Sequence, residues 1–143
     1  MRGTIAGMER VYTTPLLDKL GIRPGMRIAM LGMTTGDESF REQLAVRTSD
    51  ITDGWPKPET DVVLLAADST ADLAPLEVLS TMIRPNGAIW VVSRKGRNAT
   101  LRDVEVIAAA REAGLVDNKV ASFSDTHTSL RLVIPVHLRP RPV

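Results

Sequence analysis

"RIAMLGMTTGDESF", Arg27 to Phe40, passes from an apolar run through a turn rich in glycine and threonine into a polar stretch. Arg27 to Leu31 has the composition of a buried strand, and Gly32 to Gly36 that of a tight connection. Asp37 and Glu38 suit the first turn of a helix, where carboxylates complement the helix dipole and repel a phosphate. Strand, glycine turn and helix in this order predict an α/β domain, and the turn is where its ligand would sit.

The flanking sequence extends the pattern. Thr14 and Pro15 open a short helix over Pro15 to Leu20, which Gly21 stops. Pro24 and Gly25 fit the two central positions of a type II turn that feeds the strand at Arg27. The device returns in "IRPNGAIWVV", where Pro85 and Asn86 turn into a strand over Ala88 to Val92. Two such helix–turn–strand units, with a third apolar run at Val62 to Ala67 between them, predict parallel strands buried on both faces. Trp90 belongs to that core.

A helix starts near Pro75 with Leu76, Leu79 and Met82/Ile83 on one stripe, and Thr70 can cap an earlier turn. Leu101 to Ala113 reads as another, with Thr100 and Asp103 in capping-box spacing, Val104, Ile107 and Ala108 inward, and Gly114 as its stop. "LAVRT", Leu44 to Thr48, reads as a weak strand. "KVASF" and "SLRLVIPV" form an antiparallel hairpin across "SDTHT", while Asp117 to Val120 has turn chemistry. The expected fold is therefore an open, mostly parallel sheet with flanking helices and a C-terminal antiparallel hairpin. Residues 1–12 lack a period and are expected to be loose, 13–136 to form the single domain, and 137–143 an extended Pro/Arg-rich tail.

Composition removes several function classes. The chain has 143 residues, enough for one core, and 18 basic against 17 acidic residues leave a net charge of +1. No global field recruits nucleic acid or membrane, and aromatics at 3% leave few platforms for stacking bases. Nucleic acid is thus an unfavoured partner. There is no cysteine, and His127 and His137 show no metal-ligand spacing, so no metal is expected. Apolar runs stay far short of the roughly 20 residues a membrane helix needs, and no charged-then-apolar leader opens the chain. A cytoplasmic location is expected.

In such a sheet, ligands bind beyond the carboxyl ends of the strands. The positions there are Gly32 to Gly36, Asp50 to Asp53, Asp68-Ser69 and Ser93 to Arg97. Asp50 and Asp68 can accept hydrogen bonds from a ribose or an amine. Arg94, Lys95 and Arg97 can hold a carboxylate, a phosphate or an acidic partner. His127 reads as a loop histidine, and Trp55, in "DGWPKP", as either core cover or a contact surface.

The order "LGIRPGMRIAMLGMTTG … TDVVLL … LSTMIRPNGAIWVV … AGLVDNKV … LRLVIPV" resembles a shortened class I S-adenosylmethionine-dependent methyltransferase, a Rossmann-like fold. More closely, "TPLLDKLGI", "AIWVVSRK" and "AGLVDNKVASFSDTHTSLRLV" resemble a bacterial family of short proteins carrying a domain of unknown function. The methyltransferase likeness implies cofactor contacts from Gly32, Thr34, Thr35, Gly36, Asp50 and Asp68, with S-adenosylmethionine as the cofactor to consider. Departures accompany it. Where those enzymes read acidic-x-Gly-x-Gly-x-Gly, this chain has Met30, Gly32, Thr34 and Gly36, and too few residues separate Gly36 from Asp61 for a full first half-sheet. Asp68-Ser69 replaces the Asn-Pro-Pro-aromatic stretch of amino-methylating relatives.

Three readings stay open. The first is a ligand- or partner-binding domain with a degenerate cofactor loop and no methyl transfer. The second is a minimal methyltransferase whose catalysis is mainly positioning. The third is an accessory subunit docking on an acidic protein or RNA. No catalytic residue and no oligomeric state can be assigned from sequence.

Overall fold

The computed structural model describes residues 14–33 and 38–139. Its elements are α1 (Thr14–Lys19), β1 (Ile28–Leu31), α2 (Glu38–Arg47), β2 (Ile51–Asp53), β3 (Thr60–Ala66), α3 (Leu76–Leu79), β4 (Ile83–Arg94), α4 (Asp103–Glu112), β5 (Val116–Ser122) and β6 (His127–Val133). Six strands form one sheet in the order β2-β1-β3-β4-β6-β5. The first four run parallel, and β6 lies antiparallel to both β4 and β5. The open α/β sheet with its terminal hairpin is therefore as the sequence predicts.

The sheet divides two cores. Alternate residues of β3 and β4 point to opposite faces, so Val63, Leu65, Ile89 and Val91 pack with Leu76 and Leu79 of α3 and Val106 and Ala110 of α4. Val62, Leu64, Trp90 and Val92 pack instead with Leu17 and Leu20 of the α1 segment and Phe40 and Leu44 of α2. Trp90 is fully buried, and its indole Nε1 donates to the Leu20 carbonyl at 3.0 Å, which satisfies the ring's polar atom. No helix among the described residues is long and apolar enough to cross a membrane.

Several local expectations are corrected. "LAVRT" is not a strand. Leu44 to Arg47 close α2, because Phe40 and Leu44, four residues apart, both reach the core while Val46 is 90% exposed. Strand β2 follows at Ile51, so Asp50 stands before it rather than after a strand. The helix expected from Pro75 is only one turn, preceded by a 3-10 turn over Thr70–Leu73 that Ser69, not Thr70, caps. Pro85 and Asn86 lie inside β4, in a bulge where pairing moves from Thr60↔Ile83 to Val62↔Ala88.

Helix α4 packs Ile107 against the core as expected but turns Val106 and Ala110 inward in place of Val104 and Ala108. Val104/Ala108 and Val106/Ala110 are competing pairs of identical i,i+4 spacing. The structure buries the second pair and leaves Val104 61% exposed. At its start, Glu105 Oε1 accepts the Arg102 backbone N–H at 2.9 Å, while the Thr100 hydroxyl donates elsewhere, to the Asp68 carbonyl. Asp117 to Val120 are strand residues of β5, not a turn, and Lys119 donates to the Lys19 carbonyl at 3.1 Å. His127 opens β6 instead of sitting in a loop. Val136–Leu138 form a 3-10 turn, so the tail is not extended from 137; residues 140–143, like the N-terminal segment 1–13, lie outside the described residues.

Candidate functional site

From β1 the chain winds outward to β2, whereas from β3 it winds the opposite way to β4, so the strand order reverses between β1 and β3. Connections leaving in opposite directions open a crevice at the carboxyl ends of such strands. A cleft of about 260 Å³ lies there, with Gly32, Met33, Ala66 and Ala67 at the ends of β1 and β3. Asp68, Asp72, Phe123 and His127 contribute the rest of its character.

Gly32 ends β1 with φ +81, a conformation that side-chain-bearing residues adopt at a cost. Space is not the constraint, because an added Cβ would stand 3.5 Å from the Ala66 carbonyl, an ordinary contact. At the end of β3 the backbone is locked by its own side chains. Asp68 N–H donates to Asp72 Oδ2 at 2.9 Å, Asp72 N–H to Ser69 Oγ at 3.3 Å, and Thr100 Oγ1 to the Asp68 carbonyl at 2.5 Å. The Asp68 N–H, helped by Ser69 and opposed by slight desolvation, holds the Asp72 carboxyl below the usual aspartate range.

The Asp68 carboxylate is itself engaged. Its Oδ1 accepts the Arg94 backbone N–H at 3.0 Å and pairs with Arg94 Nε at 3.3 Å. On the opposite wall, His127 Nδ1 lies 2.8 Å from Thr126 Oγ1, which fixes the ring. Phe123 packs its ring against Phe40 with centroids 5.1 Å apart, tying this wall to α2. Two aspartates, one of them paired with Arg94, and a histidine line the cleft. Such a cleft suits a cationic or hydrogen-bond-donating ligand better than a phosphate.

The sequence candidates therefore disperse. Gly32 and Asp68 line the cleft, and Thr34, Thr35 and Gly36 lie outside the described residues. Asp50 does not join them. It stands at the amino end of β2, on the opposite edge of the sheet, and pairs with Arg27 Nε at 3.0 Å. Asp53, at the carboxyl end of β2, pairs with Arg41, which also donates to the Met33 carbonyl at 3.4 Å. The basic loop does not aim its cations at one point: Arg94 turns to Asp68, Lys95 Nζ donates to Ser122 Oγ at 2.9 Å, and Arg97 lies in an exposed 3-10 turn.

Sequence reasoning missed Asp72, Phe123 and His127 at the cleft. Asp72 was legible in part, since Ser69 three residues before it has capping-box spacing. His127 was not, because only the β4–β6 register, which sets it opposite Arg94, brings it to this edge.

Solved structures place the fold. A SAM dependent methyltransferase from Aquifex aeolicus superposes with a TM-score of 0.60 at 13% identity, over 85% of this chain and 89% of that one. A TehB-like SAM-dependent methyltransferase from Corynebacterium glutamicum gives 0.56 at 12%, over 85% and 86%. Magnesium protoporphyrin IX methyltransferase from Synechocystis, solved with bound SAM, gives 0.55 at 10%, over 87% and 77%. At these identities the likeness establishes the Rossmann-like, methyltransferase-like fold alone. No curated protein matches by sequence. A family model does match, over residues 17–136 and therefore most of the chain, and it is described as "Protein of unknown function (DUF3052)". The chain belongs to the DUF3052 family, a family of unknown function on a methyltransferase-like scaffold.

Proposed function

We propose that this protein binds a small organic ligand in the Gly32–Asp68 cleft and does not transfer a methyl group. The observation that carries the reading is the composition of the cleft. A positive-φ glycine lies at the strand-order reversal, and Asp68, Asp72 and His127 line the cleft beside it. Its size, about 260 Å³, falls just below the ordinary range for ligand pockets, roughly 300–1,000 Å³, and suits a small ligand or part of a larger one. S-adenosylmethionine is the first ligand to test, because its sulfonium and amino groups are cationic and the similar folds are those of enzymes that use it. Against catalysis stand Met30 and Thr34 in the glycine motif, and a half-sheet that ends at the three-residue β2.

Methyl transfer remains the second reading, favoured by His127, which gives the cleft a group able to accept a proton from an acceptor. Calorimetric titration with S-adenosylmethionine and S-adenosylhomocysteine, on the native chain and on Gly32→Trp, tests both. Micromolar binding that the indole abolishes supports the cleft as the site. Labelled methyl appearing on any acceptor would then move the assignment to the second reading. No heat with either ligand, from folded protein, removes this cofactor class and directs the search to protein partners.

A further inference from the structure

A second site lies on the antiparallel side of the sheet and does not rest on the cleft. The β5–β6 register sets Lys119 directly opposite Arg131. Cross-strand partners share a face, and like charges placed so destabilise a strand pair. This is the α1 face, because Arg131 is in turn opposite Trp90. Asp117 is opposite Leu132, which belongs to the other face. It therefore does not face the two cations.

Arg131 is half-buried, and its only side-chain partner among the described residues is neutral, Asn118 Oδ1 at 3.3 Å. Arg139 is anchored nearby, its Nε donating to the Ile134 carbonyl at 2.8 Å at the end of β6. Burial first, and the charge of Arg139 second, push the Arg131 guanidinium below its ordinary value. Among the described residues Lys119 Nζ donates only to the Lys19 carbonyl. Among the described residues none of these three cations is in an ion pair.

A half-buried guanidinium facing two like charges without a counter-charge is costly to maintain. We propose that Lys119, Arg131 and Arg139 form a binding site for the phosphate group of a small phosphorylated molecule. A phosphomonoester brings about −1.5 to −2 charges and three acceptor oxygens, which match three cations better than one carboxylate does. The planar guanidinium forks suit its geometry. The chain's net charge of only +1 supplies no field to hold a long polyanion, so a single phosphate group is the better fit.

Inorganic phosphate is the probe. Thermal unfolding at constant pH is compared in sodium phosphate and in sodium chloride of equal ionic strength, for the native chain, Arg131→Gln, Lys119→Gln and Gly32→Trp. Phosphate is expected to raise the native Tm by about 3 °C beyond chloride. Both cation variants should lose that excess, and Gly32→Trp should keep it. Amide resonances of Lys119 and Arg131 should shift on phosphate titration. Equal effects of the two salts would overturn the site, as would an excess that survives in Lys119→Gln, or shifts confined to Ser93–Arg97. If Arg131→Gln does not fold, exposed Lys119 decides alone. Loss of cleft binding in the titrations above would leave this result unchanged, so the two proposals fail separately.

Discussion

Gly87 shows how one missing side chain permits the sheet. An added Cβ would lie 2.8 Å from the Asp61 carbonyl, 3.1 Å from the Arg84 carbonyl and 3.2 Å from the Arg84 nitrogen, all backbone atoms of the β3–β4 bulge. Backbone cannot swing aside as a flexible side chain can, so Gly87→Ala is expected to cost about 2–3 kcal/mol. Gly32→Ala, strained by its φ of +81 but not by space, is expected to cost about 1 kcal/mol. Urea midpoints check the order; equal losses would mean that the bulge relaxes freely. Asp72 adds a pH signature. Its folded pKa is lowered chiefly by the Asp68 N–H, so the stability it contributes is present above the unfolded value and lost as pH falls through the folded one. The stability gap between the native chain and Asp72→Asn should therefore be full at neutral pH and shrink below about pH 4. A gap constant down to pH 2 would show that the carboxylate's charge contributes nothing. Asp72 is exposed, so the gap should also be small.

At the scale of elements, what the sequence reveals depends on how many faces are buried. Val62 to Ala67 and Ala88 to Val92 are legible as strands because burial on both faces demands unbroken apolar runs. Helix α4 is legible as a helix but not in its orientation, since Val104 with Ala108 and Val106 with Ala110 offer two stripes and only contact with α3 and the sheet selects one. That selection is measurable. Val106→Ala should destabilise by about 2 kcal/mol through the cavity it leaves, while Val104→Ala should stay within about 0.5 kcal/mol. Comparable losses at both positions would mean that α4 presents the other stripe. Strand β2 was hidden for a different reason. Two half-exposed residues and one exposed one carry almost no periodic signal, and the helix before them closes within "LAVRT", whose composition mimics a strand. Asp50 was misplaced with it, an error of only a few residues that moved a candidate ligand to the opposite edge of the sheet.

For the whole molecule, the cleft shows why a site is harder to read than a fold. Gly32, Asp68 and His127 are separated by tens of residues and meet only because β1, β3 and, through β4, β6 stand side by side. The two ends whose connections leave the sheet could be found from strand order, but the residue that β6 brings could not. The same architecture predicts how stability is distributed. Strand β3 pairs on both sides, with β1 and β4, and both of its faces enter a core. Strand β2 pairs with β1 over three residues, and among the described residues no further strand follows it in the sheet. Native-state hydrogen exchange should divide accordingly. Amides of Val63, Leu64, Ile89 and Val91 should exchange only through global unfolding, with a denaturant dependence equal to that of the equilibrium transition. The amides of β2 should exchange roughly 100-fold faster or more, through openings that expose little surface. Because the central strands are shared by both cores, neither core can open without disrupting the other's sheet face, and the middle of the sheet should behave as one cooperative unit. Uniform protection from β2 to β4 would contradict this and would mean that the short edge is held as firmly as the centre. Separate denaturant dependences for Val63 and Leu64, which point into different cores, would instead show two units divided at the sheet.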